Sequence, residues 1–313
     1  MSLWLDCFTL GAPLSFLDHH LRCGNSLIGA MAQDVAEEMA GPQAAGQFTF
    51  FEGPFVGLLR ATNMIEILAG LADVTLEQVE QSKALFADFE RAAKPYKQLL
   101  DIHVAQHFGV ERAAEFLKLY GADALSAEKE NLAEGHQGVI DQARALYEEK
   151  RFFHWDLEFP EVFIDLERAD WKEDGGFDAV VGNPPYSSAK GNTEVYLRSQ
   201  FAVARYFIDT FHLFIERGLA LIRSGGEFGQ IVPEPWLTME NTEPLREYVL
   251  TKCNLQQILR FKKQVFESAT VHTVVVIAAK AQSPTTIHLL NADNTPERLN
   301  RVEEINQIDQ RDL

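Results

Sequence analysis

The stretch FDAVVGNPPY, Phe177 to Tyr186, decides how this chain is read, because an Asn-Pro-Pro-Tyr turn follows directly on a short apolar run. Phe177, Ala179, Val180 and Val181 are β-compatible and continuous rather than alternating, the pattern of a central strand in a parallel sheet covered on both faces. In open α/β sheets ligands collect beyond the carboxyl ends of such strands, so Asn183 to Tyr186 are expected where chemistry is done. Asn183 offers a side-chain carbonyl, Pro184 a backbone carbonyl with no N–H to compete, and Tyr186 a flat aromatic face.

Together these groups suit a planar amine. The exocyclic nitrogen of adenine has its lone pair delocalised into the ring and is a poor nucleophile. Two acceptors that each take one N–H draw it toward a tetrahedral, more nucleophilic state, and a stacked ring holds the base. No metal, acid or covalent intermediate is then required if the electrophile is an activated methyl group. The plain alternative is a turn after a strand, since Asn and Pro are common turn formers.

With this motif the sequence resembles the amino-methyltransferases that use S-adenosylmethionine, three branches of which carry Asn-Pro-Pro-Tyr. They act on adenine N6 in DNA, on the glutamine of release factors, and on guanine in RNA. The flanking segments resemble the first branch, the adenine-specific DNA methyltransferases of large type IIG restriction-modification enzymes and their phage-defence relatives. These segments are PLSFLDHHLRCGNSLIG (Pro13 to Gly29), RFFHWDLEFPEVF (Arg151 to Phe163), HLFIERGLALIRSGGEFGQIVP (His212 to Pro233) as helix, turn and next strand, and VFESATVHTVVVIAAK (Val265 to Lys280) as a final hairpin. The resemblance implies an α/β, Rossmann-like methyltransferase fold with S-adenosylmethionine as cofactor and double-stranded DNA as partner. It implies Asn183, Pro184, Pro185 and Tyr186 as the catalytic tetrapeptide, and Tyr186 and Phe266 as the two faces that stack on the target base. Asn25 and Ser26, with Asn183, would meet the cofactor; a turn residue after Gly24 is the equal alternative for Asn25, as is an ordinary core position for Phe266.

Against the family pattern, no glycine-rich turn after a first strand and no acidic residue closing a second are found in the sequence. The expectation is therefore an incomplete fold: a fragment lacking two strands and a target-recognition domain, with an incomplete cofactor site, an N-terminal piece either poorly anchored or packed in a way the parent protein would not show, and no activity in isolation. The expected organisation is residues 1–30 and 151–290 as methyltransferase core, 31–150 as a helical insertion, and 291–313 as the start of a linker. A protein-glutamine or RNA methyltransferase, or a partner-binding fragment without catalysis, remain the alternatives.

Composition bounds these readings. With 313 residues and 46% hydrophobic content the chain can bury a core. No apolar stretch is long enough to span a bilayer, and Cys7, Cys23 and Cys253 have no metal-ligand spacing, which suits free thiols in the cytoplasm. A net charge of −18 is wrong for gripping DNA unaided, since phosphate neutralisation supplies most nonspecific affinity. The polar stretch SSAKGNTEVYLRS, Ser187 to Ser199, reads as a loop that carries Lys190 and Arg198 next to the motif.

Within residues 31–150, Leu85, Phe89, Ala92, Tyr96, Leu99 and His103 recur at helical spacing, and Thr75 with Gln78 forms a capping box. Pro95 is expected to kink or end that helix. A second helical run from Ser126 to Glu149 places Leu132, Val139, Ala143 and Leu146 on one side. His103 and His107 lack the Glu of a zinc peptidase motif, and His154, Asp156, Glu158 and Glu161 read as strand alternation and a turn; no metal site is expected.

Overall fold

The computed structural model describes residues 20–40, 67, 75–120, 132, 135–165, 168, 170–206, 208–262, 265, 271–281, 286–292 and 302–310, which fall into two units, 1–173 and 174–313. The described part of the first unit is largely helical: α1 (Ala32–Ala40), α2 (Leu76–His107), α3 (Ala113–Leu119), α4 (His136–Lys150), the short α5 (Trp155–Glu158) and α6 (Pro160–Phe163), and a two-strand ladder, β1 (Ile164–Asp165) with β2 (Asp170–Trp171).

Helix α2 starts where the capping box places it, with Thr75 accepting from the Gln78 N–H and Gln78 returning the bond to the Thr75 N–H. It does not end at Pro95, which sits inside its 32 residues. Proline removes one intrahelical donor. Tertiary packing on both sides outweighs that loss, because Phe89 and Ala93 before it and Leu99 and Leu100 after it are all fully buried. The same core takes Phe116 from α3 and Val139, Ile140 and Ala143 from α4, with Leu132 and Leu146 packed at its margin. Gly135 stands at the N-cap of α4 at φ +87°, a conformation that favours glycine, so the helix starts there rather than at Ser126.

Residues 154–161 form two helical turns rather than a strand. Pro160 at the first position of α6 has the fixed φ of a helix start and no N–H to leave unsatisfied. The N-terminal segment is held within the first unit from His20 onward, while residues 1–19 of the piece expected to be poorly anchored or unusually packed lie outside the described residues. Asn25 bridges Phe152, Leu27 and Ile28 are buried, and Arg22 pairs with Glu90 at 2.9 Å. A side chain on Gly29 would run into the Phe153 carbonyl, so only glycine lets these two backbones meet.

The second unit is a mixed α/β layer, the expected fold class. Its sheet has the order β3 (Phe177–Gly182), β4 (Ile222–Pro233), β6 (Thr273–Ala279), β5 (Asn254–Phe261), β7 (Thr286–Ala292), β8 (Val302–Asp309). Strand β3 runs parallel to β4, joined by α7 (Gly191–Gln200) and α8 (Thr210–Leu221), while β6 is antiparallel to both β4 and β5. Helix α9 (Glu243–Lys252) precedes β5. Helix α8 and β4 match the helix and strand expected from His212 to Pro233, but β4 starts directly after Leu221, and in place of the expected turn the strand carries a register shift against β3 between Ile222 and Glu227.

Two other expectations fail here. Among the described residues β3 has a single neighbour and forms an edge, so Ala179 is exposed and Val181 is 85% exposed. Its continuous apolar pattern is real, but the described residues cover only one side. The stretch 187–199 is not all loop, because α7 forms from Gly191. Tyr196 and Leu197 are buried, and the Arg198 guanidinium bonds Glu194 one turn back and the carbonyls of Ala204 and Tyr206. No helix of the described residues is long and apolar enough to cross a membrane.

Candidate active site

Gly182 lies opposite Gln230 in the β3–β4 register, so Asn183 to Tyr186 leave the sheet at the carboxyl end of β3. The turn folds back on β4: the single Tyr186 O–H is shared between the Ile231 carbonyl at 3.1 Å and the Asn183 side-chain oxygen at 3.4 Å. Burial holds the Tyr186 hydroxyl above its ordinary pKa, which keeps it a neutral donor. Its ring meets Phe211 of α8 edge-on at 6.2 Å. Asn183 is exposed, Pro184 is buried and Pro185 is exposed. The Asn183 oxygen has a second lone pair beyond the one that Tyr186 uses.

What fixes the turn is the start of α8, which the sequence reading missed. The Thr210 hydroxyl donates to the Pro185 carbonyl at 2.7 Å, the Thr210 N–H donates to the Ser187 carbonyl at 2.7 Å, and Ser188 donates to Asp209 at 3.1 Å. Asp209 stands at the N-cap of α8 without capping it, because its carboxylate serves the turn instead. The legible signal was a polar Asp-Thr pair at a helix start, which ordinarily signals only a cap.

Behind the turn lie two buried polar groups. His212 is 4% exposed, its Nε2 has no partner among the described residues, and burial holds its pKa down at about 4 against a smaller opposing pull from Asp209. Gln230 donates to the Phe214 carbonyl at 3.3 Å and leaves its own oxygen without a partner among the described residues.

The other expected site residues lie elsewhere or outside the description. Asn25 belongs to the first unit, where its side-chain oxygen accepts from the Leu27 N–H at 3.2 Å, an Asx turn. The Ser26 carbonyl accepts from the Trp155 indole at 3.2 Å. Phe266 lies outside the described residues, as do Cys7 and residues 293–300. Cys23 is exposed, and Cys253 is buried with its thiol pushed up to about 12. His103 and His107 stack edge to face at 5.4 Å, and no cluster of metal-ligating residues occurs among the described residues.

Asn25 and Gly29 are the described residues that bear on a place for S-adenosylmethionine. The Asn25 oxygen is engaged in its own turn, which leaves its amide N–H groups for a ligand, and the close approach at Gly29 is to Phe153 rather than to open space.

Comparison with known proteins gives the family. A putative type II restriction enzyme and methyltransferase, RM.MjaORFECS2P of Methanocaldococcus jannaschii, is 23% identical over 84% of this chain and 22% of its own length. The type II restriction enzyme and methyltransferase RM.Eco57I of Escherichia coli is 28% identical over 33% of this chain and 11% of its own length. The chain thus spans no more than about a quarter of either relative. Among solved structures, a putative class I S-adenosylmethionine-dependent methyltransferase from Listeria monocytogenes aligns with a TM-score of 0.35 at 14% identity, over 88% of this chain and 95% of that one. The family model of the Eco57I restriction-modification methylases matches residues 75–266, from the cap of α2 through the Asn-Pro-Pro-Tyr turn and past β5 into the connection that leads to β6. That is well over half of the chain, which belongs to the Eco57I restriction-modification methylase family.

Proposed function

We propose that this chain carries the target-base site of an adenine-specific DNA methyltransferase of a restriction-modification system. The observation that carries the reading is the anchored turn at the end of β3, where Asn183 is exposed beside a Tyr186 hydroxyl that orients it. In this reading adenine leaves the duplex and its amino group meets the Asn183 side-chain oxygen and the Pro184 carbonyl, with Tyr186 against one ring face. Those two acceptors hold both N–H bonds and raise the nucleophilicity of N6. Phe266 takes the opposite ring face. Pro185 keeps the turn rigid through its bond from Thr210.

Membership in the family implies S-adenosylmethionine, which when bound supplies an electrophilic methyl group. Asn25 and Ser26 belong to its adenine side in this reading, and groups outside the described residues complete the cradle. Double-stranded DNA is the partner, held by parts other than this acidic chain, whose net charge is −18. The helical residues 31–150 are read as an insertion in the catalytic fold.

The test is expression from the natural reading frame in a host without adenine methylation, followed by mapping of N6-methyladenine. Sequence-specific methylation that disappears with Asn183→Ala supports the reading. Methyl groups found on release factor or RNA instead, or DNA methylation that survives Asn183→Ala, would overturn it. Calorimetric titration of S-adenosylmethionine into the 313-residue chain tests the cradle separately. Micromolar binding there refutes an incomplete site.

A further inference from the structure

Among the described residues one face of the second unit's sheet is only partly covered, and it carries a groove of about 1000 Å³. Its floor follows from strand register. Ile258 of β5 lies beside Leu289 of β7, and Ile287 of β7 lies beside Ile308 of β8. The register shift between Leu255 and Gln257 lets Leu255 and Ile258, three residues apart, line the same groove. Helix α9 supplies one wall through Val249 and Leu250, and the helical turn Glu234–Leu237 closes an end with Trp236 and Leu237. Leu250, Ile258, Leu289 and Ile308 all remain partly exposed.

The rim has a definite charge. Glu240, Glu243 and Glu247 line it, and the only cation among the lining residues, Arg246, is turned away into the backbone. Its guanidinium donates to the Trp236 carbonyl at 2.8 Å, the Met239 carbonyl at 2.7 Å and the Thr242 hydroxyl at 2.7 Å. Glu247 reaches Arg205 at 3.8 Å, with both side chains largely exposed. Glu240 and Glu243 have no ionic partner among the described residues. An aliphatic floor offers nothing to a sugar-phosphate chain, and three carboxylates at the rim repel one.

We propose that this groove docks an amphipathic helix of a partner polypeptide, with basic residues flanking its apolar stripe. A cleft between a helix and a strand pair accepts the i, i+3, i+4, i+7 anchors of such a helix, and Lys or Arg at its margins meets Glu240, Glu243 and Glu247. The inference is independent of the target-base site, which it neither uses nor requires.

The probe is a Leu/Lys peptide with leucines at i, i+3, i+4 and i+7, titrated into the full chain and followed by anisotropy and by tryptophan emission. A Leu/Glu peptide of the same spacing and a scrambled Leu/Lys peptide are the controls. The expected result is a preference of roughly tenfold for the patterned Leu/Lys peptide over both. The triple change E240Q, E243Q and E247Q should remove most of that preference, while E77Q, E80Q and E111Q, equal in charge but on the first unit, should leave it intact. Leu289→Gln should weaken binding with the circular dichroism spectrum unchanged, and Trp236→Phe should abolish the emission change. Equal binding of all three peptides, or equal effects of the two triple variants, would mean unspecific attraction to an acidic chain and would overturn the proposal. So would dimerisation in light scattering that the rim variant or Leu289→Gln abolishes, since the occupant would then be a second copy.

Discussion

Both units turn polar side chains inward as architecture, and they differ in what the second also leaves outside. In the first, Lys97 lies between Glu90 at 3.2 Å and Glu158 at 2.8 Å, His154 meets Asp101 at 3.0 Å, and Asp156 takes the Ala32 N–H at 2.6 Å to start α1. In the second, the distinctive acceptor, Asn183, stands exposed at a strand end with its neighbours arranged to hold it. The histidines and carboxylates of the first unit are engaged with its own chain, and the proposed function rests instead on the anchored, outward acceptor of the second.

The strongest attack on this contrast is Phe116→Ala in the helical unit. Phe116 is fully buried, with its ring 4.8 Å from Tyr120 and 5.8 Å from His136. Its loss should cost about 3–5 kcal/mol of stability in thermal unfolding of the first unit. A smaller loss than about 1 kcal/mol would show that this core is loosely packed and that its polar groups need another explanation.

Asn183→Ala should do the reverse. The exposed side chain makes little difference to folding, within about 0.5 kcal/mol, but methyl transfer should fall by roughly two to three orders of magnitude. Thr210→Val, which removes the hydroxyl bonded to Pro185, separates the turn from its anchor and should lower the rate by a smaller factor at unchanged DNA affinity. If it matched Asn183→Ala, Thr210 would have to touch substrate.

How much of this was legible in sequence follows the same division. The capping box at Thr75 and the stripe through Phe89, Tyr96 and Leu99 could be read because helix signals are local, and the turn at Asn183 because a strand followed by Asn-Pro-Pro-Tyr is local too. What could not be read depended on distant partners. Pro95 stays inside α2 because packing from α3 and α4 compensates for a missing hydrogen bond, which no window along the chain reveals. Helix α7 looked like loop because its buried residues are few, Tyr196 and Leu197, and Arg198 is tied to carbonyls of a later segment. The edge position of β3 is likewise a property of its neighbours, and so is the role of Thr210.

Two buried ionisable groups give a smaller, signed test. Burial lowers His212 to about 4, below its unfolded value, so its contribution is present above about pH 6.5 and lost as pH falls toward 4. Burial raises Asp156 to about 7 despite the Ala32 and Gln33 N–H groups, so its contribution is present below about pH 4 and lost as pH rises through 7. Between those limits the second unit should gain stability with pH while the first loses it, each on the order of 3 kcal/mol. Amide exchange followed separately in β4 and α2 reads the two slopes. Parallel slopes would break the contrast; His212→Phe should flatten one and Asp156→Asn the other.

The smallest effect sharpens the picture at a single residue. Thr75→Ala removes a capping bond of 3.2 Å at the start of α2 and frees Gln78 from its return bond, in an exposed position where water replaces part of what is lost. The expected cost is about 1 kcal/mol, seen as faster amide exchange over the first turn. Because α2 is fixed by the burial of Phe89, Ala93, Leu99 and Leu100 farther along, that fraying should stop before Phe89. Exchange that spread past Pro95 would instead mean that the two halves of α2 melt together, and that the missing hydrogen bond at Pro95 places no boundary in the helix.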